Sequence, residues 1–185
     1  AQKNTTSQTC KSVLDTISPT FSVSDALVEF DLVKGEVAVS ADNFDIQGPE
    51  DNCSTTFEIG LSKSVFTCAD LDEENGPFSI PVTLTVSDLS GNKKVEQAEV
   101  IFNVSESVKV SLSEVIPLFP GEFAEIKLGE ELGFTVLEWY RNGQLLPGIK
   151  GNSIAIEEEG AYEAKILLES GCITRSQALT VELQE

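Results

Sequence analysis

Cys53 and Cys68 stand with fourteen residues between them in DNCSTTFEIGLSKSVFTC (residues 51–68), and their sulfurs could do three kinds of chemistry. They could ligate a metal, exchange disulfides, or close a loop. A thiolate metal site gathers about four sulfur or nitrogen donors, commonly in C-x-x-C pairs, and redox pairs use the same short spacing beside a helix start. Neither pattern is present, and there is no histidine in the 185 residues. Its absence also removes the Ser-His-Asp triad, the Cys-His dyad and the His-ligated zinc site. Paired catalytic carboxylates remain, but nothing in the sequence supplies a nucleophile or a cleft to go with them. The chain reads as no enzyme.

Carboxylates are the second candidate chemistry. The loop ADNFDIQGPEDN (41–52) holds Asp42, Asp45 and Asp51, and LDEENG (71–76) adds Asp72, Glu73 and Glu74. Oxygen donors at this density can hold calcium, with Asp42, Asp45 and Asp51 as its ligands. Neither loop follows the twelve-position EF-hand pattern, and Asp and Asn are also what turns require. No other cofactor is expected. Acidic residues number 31 against 12 basic, a formal charge of −19 that repels nucleic-acid phosphates and anionic lipid heads. Nucleic-acid partners are therefore not expected. No run reaches the roughly 18 apolar residues of a membrane helix, so no membrane insertion is expected either.

These groups must be carried by β-structure. Short alternating runs rich in β-branched and aromatic residues recur between Gly, Pro, Asn and Asp, and nowhere does a helical period hold over a dozen residues. In the first half the expected strands are 26–32, 36–41, 55–61, 78–88 and 95–104. Val82, Leu84 and Val86 then share one face with Val100, Phe102 and Val104 on the partner strand, and Gly91-Asn92 supplies the positive φ angles of the hairpin turn between them. In the second half they are 121–128, 133–148 (with a turn at Asn142-Gly143), 152–157, 160–170 and 173–183. The polar stretch 1–20 is a leader or first strand, and the two β-sandwich domains span 21–105 and 106–185, joined by a short linker.

Trp139 on a middle strand and Tyr162 two positions before Ala164 on a late strand follow the immunoglobulin pattern, with Ala164 at the second cysteine position. Both aromatics then belong to the core. Tyr140, facing outward by alternation, is the one aromatic left to stack on a sugar, so glycans stay a candidate partner.

The segments WYRNGQLLPGI, SIAIEEEGAYEAKI and SGCITRSQALTV resemble Ig-like modules of large secreted and cell-surface proteins of Bacteroidetes-type bacteria. DNC (51–53), LSKSVFTCADL (61–71) and VTLTVSDLSGN (82–92) resemble hyalin-repeat (HYR-like) modules of similar proteins. The resemblance implies a non-catalytic, secreted or surface-exposed structural or adhesion protein, a spacer or a surface fibre, whose partners are its own copies or other surface proteins. The competing reading is a glycan- or protein-binding accessory module of a secreted enzyme. The opening Ala1-Gln2, without Met, fits the mature end left by signal-peptide cleavage and equally a trimmed chain.

A structural Cys53–Cys68 disulfide fits the spacing, the expected export and the resemblance, and closing about 15 residues contributes roughly 3 kcal/mol on the chain-entropy model. Cys10 and Cys172 lack the partners their module families would supply near Gln97 and Phe119–Gly121. They can pair with each other, stay free, or cross-link chains. Asp15-Thr16-Ile17 matches the O-glycosylation motif associated with Bacteroidetes exported proteins, so Thr16 is a candidate attachment site that rests on the resemblance. Asn4, Asn52 and Asn103 open N-glycosylation patterns, relevant only in a host with that machinery.

Overall fold

A computed structural model describes residues 14–71, 78–104, 116–119, 121, 123–128 and 133–183. Its strands are β1 (Thr20–Val23), β2 (Ala26–Phe30), β3 (Glu36–Ala38), β4 (Ile46–Glu50), β5 (Glu58–Leu61), β6 (Val65–Thr67), β7 (Phe78–Ser87) and β8 (Lys93–Val104) in the first half. The second half contributes β9 (Ile116–Leu118), β10 (Ala124–Lys127), β11 (Phe134–Arg141), β12 (Gln144–Leu146), β13 (Ser153–Ile156), β14 (Gly160–Leu168), β15 (Ile173–Arg175) and β16 (Leu179–Leu183). Two short 3-10 turns, Ala41–Asn43 and Cys68–Asp70, complete the regular structure among the described residues. Among the described residues the protein is all-β.

Two compact units emerge, and the division is not a single cut. The first holds 14–29, 38–66 and 78–103; the second holds 30–37, 67–71 and the described residues from 104 onward. Two short pieces of the first half thus belong to the second unit.

In the first unit, β2-β8-β7-β5 form one sheet and β1 pairs antiparallel with β4. The long β7–β8 hairpin sets Val82 opposite Ala98 and Ile80 opposite Val100. Val82, Leu84, Val86, Ala98, Val100 and Phe102 are all buried while Thr83, Thr85 and Ser87 are half-buried on the other face, as period-2 alternation requires. Val104, at the strand's end, is only partly covered. Phe66 packs against Phe102 with ring centroids 5.1 Å apart, tilted by 58°, an arrangement aromatic pairs favour. At the hairpin turn Gly91 alone takes a positive φ (89°); Asn92 instead contributes its side chain, donating to Asp88 Oδ2 at 2.8 Å and to the Asp15 carbonyl at 3.2 Å.

In the second unit, β12-β11-β14-β16-β9 make the larger sheet, with β15 also on β14 and β9 running parallel to β16; β10 and β13 make the other. Apolar faces of both sheets supply the core: Val136, Trp139, Ala164, Ile166 and Val181 from the first, Ile126, Ile154 and Ile156 from the second. Trp139 is fully buried and lies directly opposite Ala164 in the β11–β14 register. Its Nε1 donates to the Gly151 carbonyl at 3.0 Å, which satisfies the one polar atom that burial would otherwise strand. Tyr162 Oη donates to the Glu158 carbonyl at 2.8 Å, the tyrosine corner of Ig-type sandwiches. Asn142 (φ 50°) and Gly143 (φ 75°) form the tight β11–β12 turn that an Asn-Gly pair announces.

Tyr162→Phe deletes one hydrogen bond and leaves the Glu158 carbonyl without its donor. A loss of about 1–2 kcal/mol is expected in chemical denaturation, with the emission maximum of Trp139 unchanged because its packing is untouched.

Candidate functional site

The cysteines pair differently from the sequence expectation. Cys68 and Cys172, 104 positions apart, are joined in a disulfide with Cα atoms 4.9 Å apart. This corrects both the Cys53–Cys68 and the Cys10–Cys172 pairings. The segment between Cys53 and Cys68 does not return on itself as a closed loop, because β5 is drawn into the sheet of β7 while β6 pairs with β3. Cys53 is disulfide-bonded, and Cys10 lies outside the described residues.

Local chemistry explains why Cys68 meets Cys172. The turn after β14 brings Leu168 N to the Cys172 carbonyl (2.8 Å) and Gly171 N to the Leu168 carbonyl (2.9 Å), so Cys172 is buried at a fixed point. Ser170 Oγ donates to the Leu32 carbonyl at 2.6 Å, and Cys68 N donates to the Gly35 carbonyl at 3.2 Å. Gly35 is the hinge of the arrangement. It has φ +73°, and a Cβ there would lie 2.6 Å from Ser170 Cβ, 2.9 Å from Ser170 O and 3.3 Å from Cys68 Sγ. No other residue fits both the angle and the space. Asp31 shapes the same turn: its Oδ1 accepts from Val33 N at 2.9 Å, and Lys34 Nζ lies 3.5 Å from Oδ2. The Val33 hydrogen bond holds the Asp31 carboxyl below its ordinary value, with burial opposing and Lys34 adding to the lowering.

Among the described residues, Asp51 alone of the acidic candidates enters a cluster, and its companions are Asp15 and Asp88 rather than Asp42 and Asp45; Asp72, Glu73 and Glu74 lie outside the described residues. One carboxylate oxygen from each of Asp15, Asp51 and Asp88 lies within 4.8 Å of the others. Asp42 is exposed in the first 3-10 turn, and Asp45 Oδ1 accepts from Gln47 Nε2 at 2.6 Å. Loop geometry places the three. Asp15 Oδ1 accepts from Ile17 N (3.1 Å), and Asp51 Oδ2 accepts from Cys53 N (2.8 Å) and Ser54 N (2.9 Å). Asp88, 6% exposed, accepts from Ser90 N and Asn92 N through Oδ1. Burial pushes the Asp88 carboxyl up, but its bonds from Asn92, Ser90 and Gly91 outweigh that and hold it below the usual carboxylate range. Thr16 is exposed beside Asp15. No sequence motif announced this cluster, since its members sit 36 and 37 positions apart.

Tyr140 is not the free aromatic that alternation promised. Its Oη donates to Glu138 Oε2 at 2.6 Å, and the Arg175 guanidinium lies 4.2 Å from the ring centroid while also pairing with Glu163. The Glu138 hydrogen bond raises the Tyr140 hydroxyl above its ordinary value, with burial and the Glu138 charge adding to it. A sugar would have to displace Arg175 to stack there.

Non-reducing peptide mapping should therefore recover a Cys68–Cys172 peptide and no Cys53–Cys68 peptide. Cys172→Ser is expected to cost about 2–5 kcal/mol for a loop this long, and Gly35→Ala about 1–3 kcal/mol, both read by denaturant titration. Because Asp31 has a depressed folded pKa, its contribution is present above the unfolded value of about 3.9 and is lost as pH falls through the lower folded value. Asp31→Asn should remove that acid-side dependence, and an NMR titration of the Asp31 carboxyl checks the sign.

No family model matches the chain, and no curated protein matches it. Solved structures align with it loosely. The N-terminal Ig1-2 module of the Drosophila receptor protein tyrosine phosphatase DLAR is 12% identical over 91% of this chain and 100% of that one, at a TM-score of 0.32. Murine CEACAM1b is 15% identical over 89% and 100%, also at 0.32. A Bacteroides ovatus mixed-linkage glucan utilization locus protein, SGBP-B, in complex with a mixed-linkage heptasaccharide is 14% identical over 85% and 43%, at 0.26. With TM-scores this low, the Ig-like character of the second unit stands on its own Trp139, Tyr162 and strand order.

Proposed function

We propose that this chain is a non-catalytic structural and adhesion module of the cell exterior, an HYR-like sandwich followed by an Ig-like one, exported and displayed as a spacer that meets other surface proteins or its own copies. One observation carries the reading: the groups with the most chemical capacity are committed to holding the fold. Cys68 and Cys172 are bonded to each other, Trp139 and Tyr162 are buried and hydrogen-bonded, and Tyr140 lies under Arg175. A disulfide is what a small domain in an oxidising exterior uses to add stability.

Edge geometry favours a spacer over a fibre built by strand donation. Among the described residues, the terminal strands β2, β5, β9 and β12 of the two larger sheets have five, four, three and three residues, and short edges are how sandwiches discourage edge-to-edge pairing.

Single-molecule pulling from the two termini tests the mechanical role. The oxidised chain should unfold with the residues between Cys68 and Cys172 shielded, and reduction should release about 350 Å of further contour length at roughly 3.4 Å per residue. Surfaces coated with the chain should hold cells or one another, whereas glycan arrays and glycosidase assays should stay blank. Turnover of any substrate, or a glycan ligand, overturns the proposal.

A further inference from the structure

We propose that Asp15, Asp51 and Asp88 form a calcium site that ties the segment before β1 to the loops after β4 and after β7. All three lie in the first unit. Three carboxylates converge there, and like charges at this range repel one another unless a cation or a proton lies between them. A second observation distinguishes the cluster from ordinary acidic surface. Asp15 Oδ2 and Asp51 Oδ1 are each out of contact with solvent and, among the described residues, have no hydrogen-bond partner. Each acid spends its other oxygen on backbone N–H groups and leaves this one bare. A buried carboxylate oxygen without a partner carries an uncompensated desolvation cost, which metal coordination removes.

The three oxygens lie within 4.8 Å of one another, close enough for a single cation to reach all of them. Protein oxygens in an irregular shell, with water filling the rest, match calcium's tolerant coordination better than the strict octahedron of magnesium. Asn92 adds rigidity, since its Nδ2 bridges the Asp15 carbonyl and Asp88 Oδ2 and fixes two of the three ligating segments to each other before any ion arrives. Asp51 also shapes the loop that carries Cys53, so ion binding and the lie of that loop are coupled.

The test is thermal and chemical unfolding of the full chain in EDTA, in 10 mM CaCl2, in 10 mM MgCl2 and in NaCl of equal ionic strength, with titration calorimetry using CaCl2. Dissociation constants of extracellular calcium modules, about 10⁻⁴–10⁻³ M, predict that calcium lowers the unfolding constant about 10- to 100-fold, with magnesium and sodium doing markedly less. Asp15→Asn and Asp51→Asn keep an oxygen to accept the backbone N–H groups but remove the charge. Each should abolish the calcium response and, in EDTA, be at least as stable as the native chain because repulsion is relieved. Two variants guard against a folding failure in one. Asp42→Asn combined with Asp45→Asn should keep the response in full. Equal effects of calcium, magnesium and sodium overturn the site as general charge screening. So does a calcium response that survives in both single variants. Loss of stability in EDTA without change in the calcium response assigns the acids a turn-forming role only. None of these results bears on adhesion, so this site and the structural reading fail separately.

Discussion

The Cys68–Cys172 bond joins two points 104 positions apart in sequence, both within the second unit. Around the sulfurs, Ser170 donates to the Leu32 carbonyl, Cys68 N to the Gly35 carbonyl, and Gly35 leaves its Cβ space empty. These contacts draw residues 30–37 and 67–71 away from the half of the chain that encodes them and into the unit formed by the other half. A cross-link over so long a loop removes much of the unfolded chain's freedom.

The second unit shows how one substitution in a familiar plan is absorbed. Where an antibody-type domain carries a cysteine on this strand, Ala164 stands opposite Trp139, and no sulfur in the unit's core joins its two sheets at that position. The indole supplies packing, its Nε1 reaches the Gly151 carbonyl, and the Tyr162 hydroxyl anchors the entry to β14. The disulfide has in effect moved from the centre of the sandwich to the turn at the end of β14. Dispersion and hydrophobic burial hold the core, while the covalent bond holds the periphery.

Much of the β-structure was legible because alternation is a local signal. β7 and β8 follow the Val82, Leu84, Val86 and Val100, Phe102 pattern, and β11 turns at Asn142-Gly143 where the dipeptide said it would. β4, β6 and β9 were not anticipated, and β1 starts at Thr20, the end of the stretch read as a leader or first strand. β6 and β9 span three residues each, too few to show a period, and β4 contains Gly48 and Pro49, which ordinarily mark loops. Tyr140 was read correctly as outside the core but not as covered, because Arg175 approaches it from a strand more than thirty residues on.

By itself the sequence determined the fold class, the inward Trp139 and Tyr162, and the exclusion of histidine-based catalysis, each a matter of residue type or short-range spacing. Only the tertiary structure decided which cysteines meet and which acids converge. Cys53 and Cys68 are close in sequence yet lie on segments recruited by different sheets, whereas Cys68 and Cys172, like Asp15, Asp51 and Asp88, are brought together by turns whose positions depend on packing elsewhere. Sequence distance constrains spatial distance only within a strand or a tight turn. Beyond that, the sheets choose the neighbours.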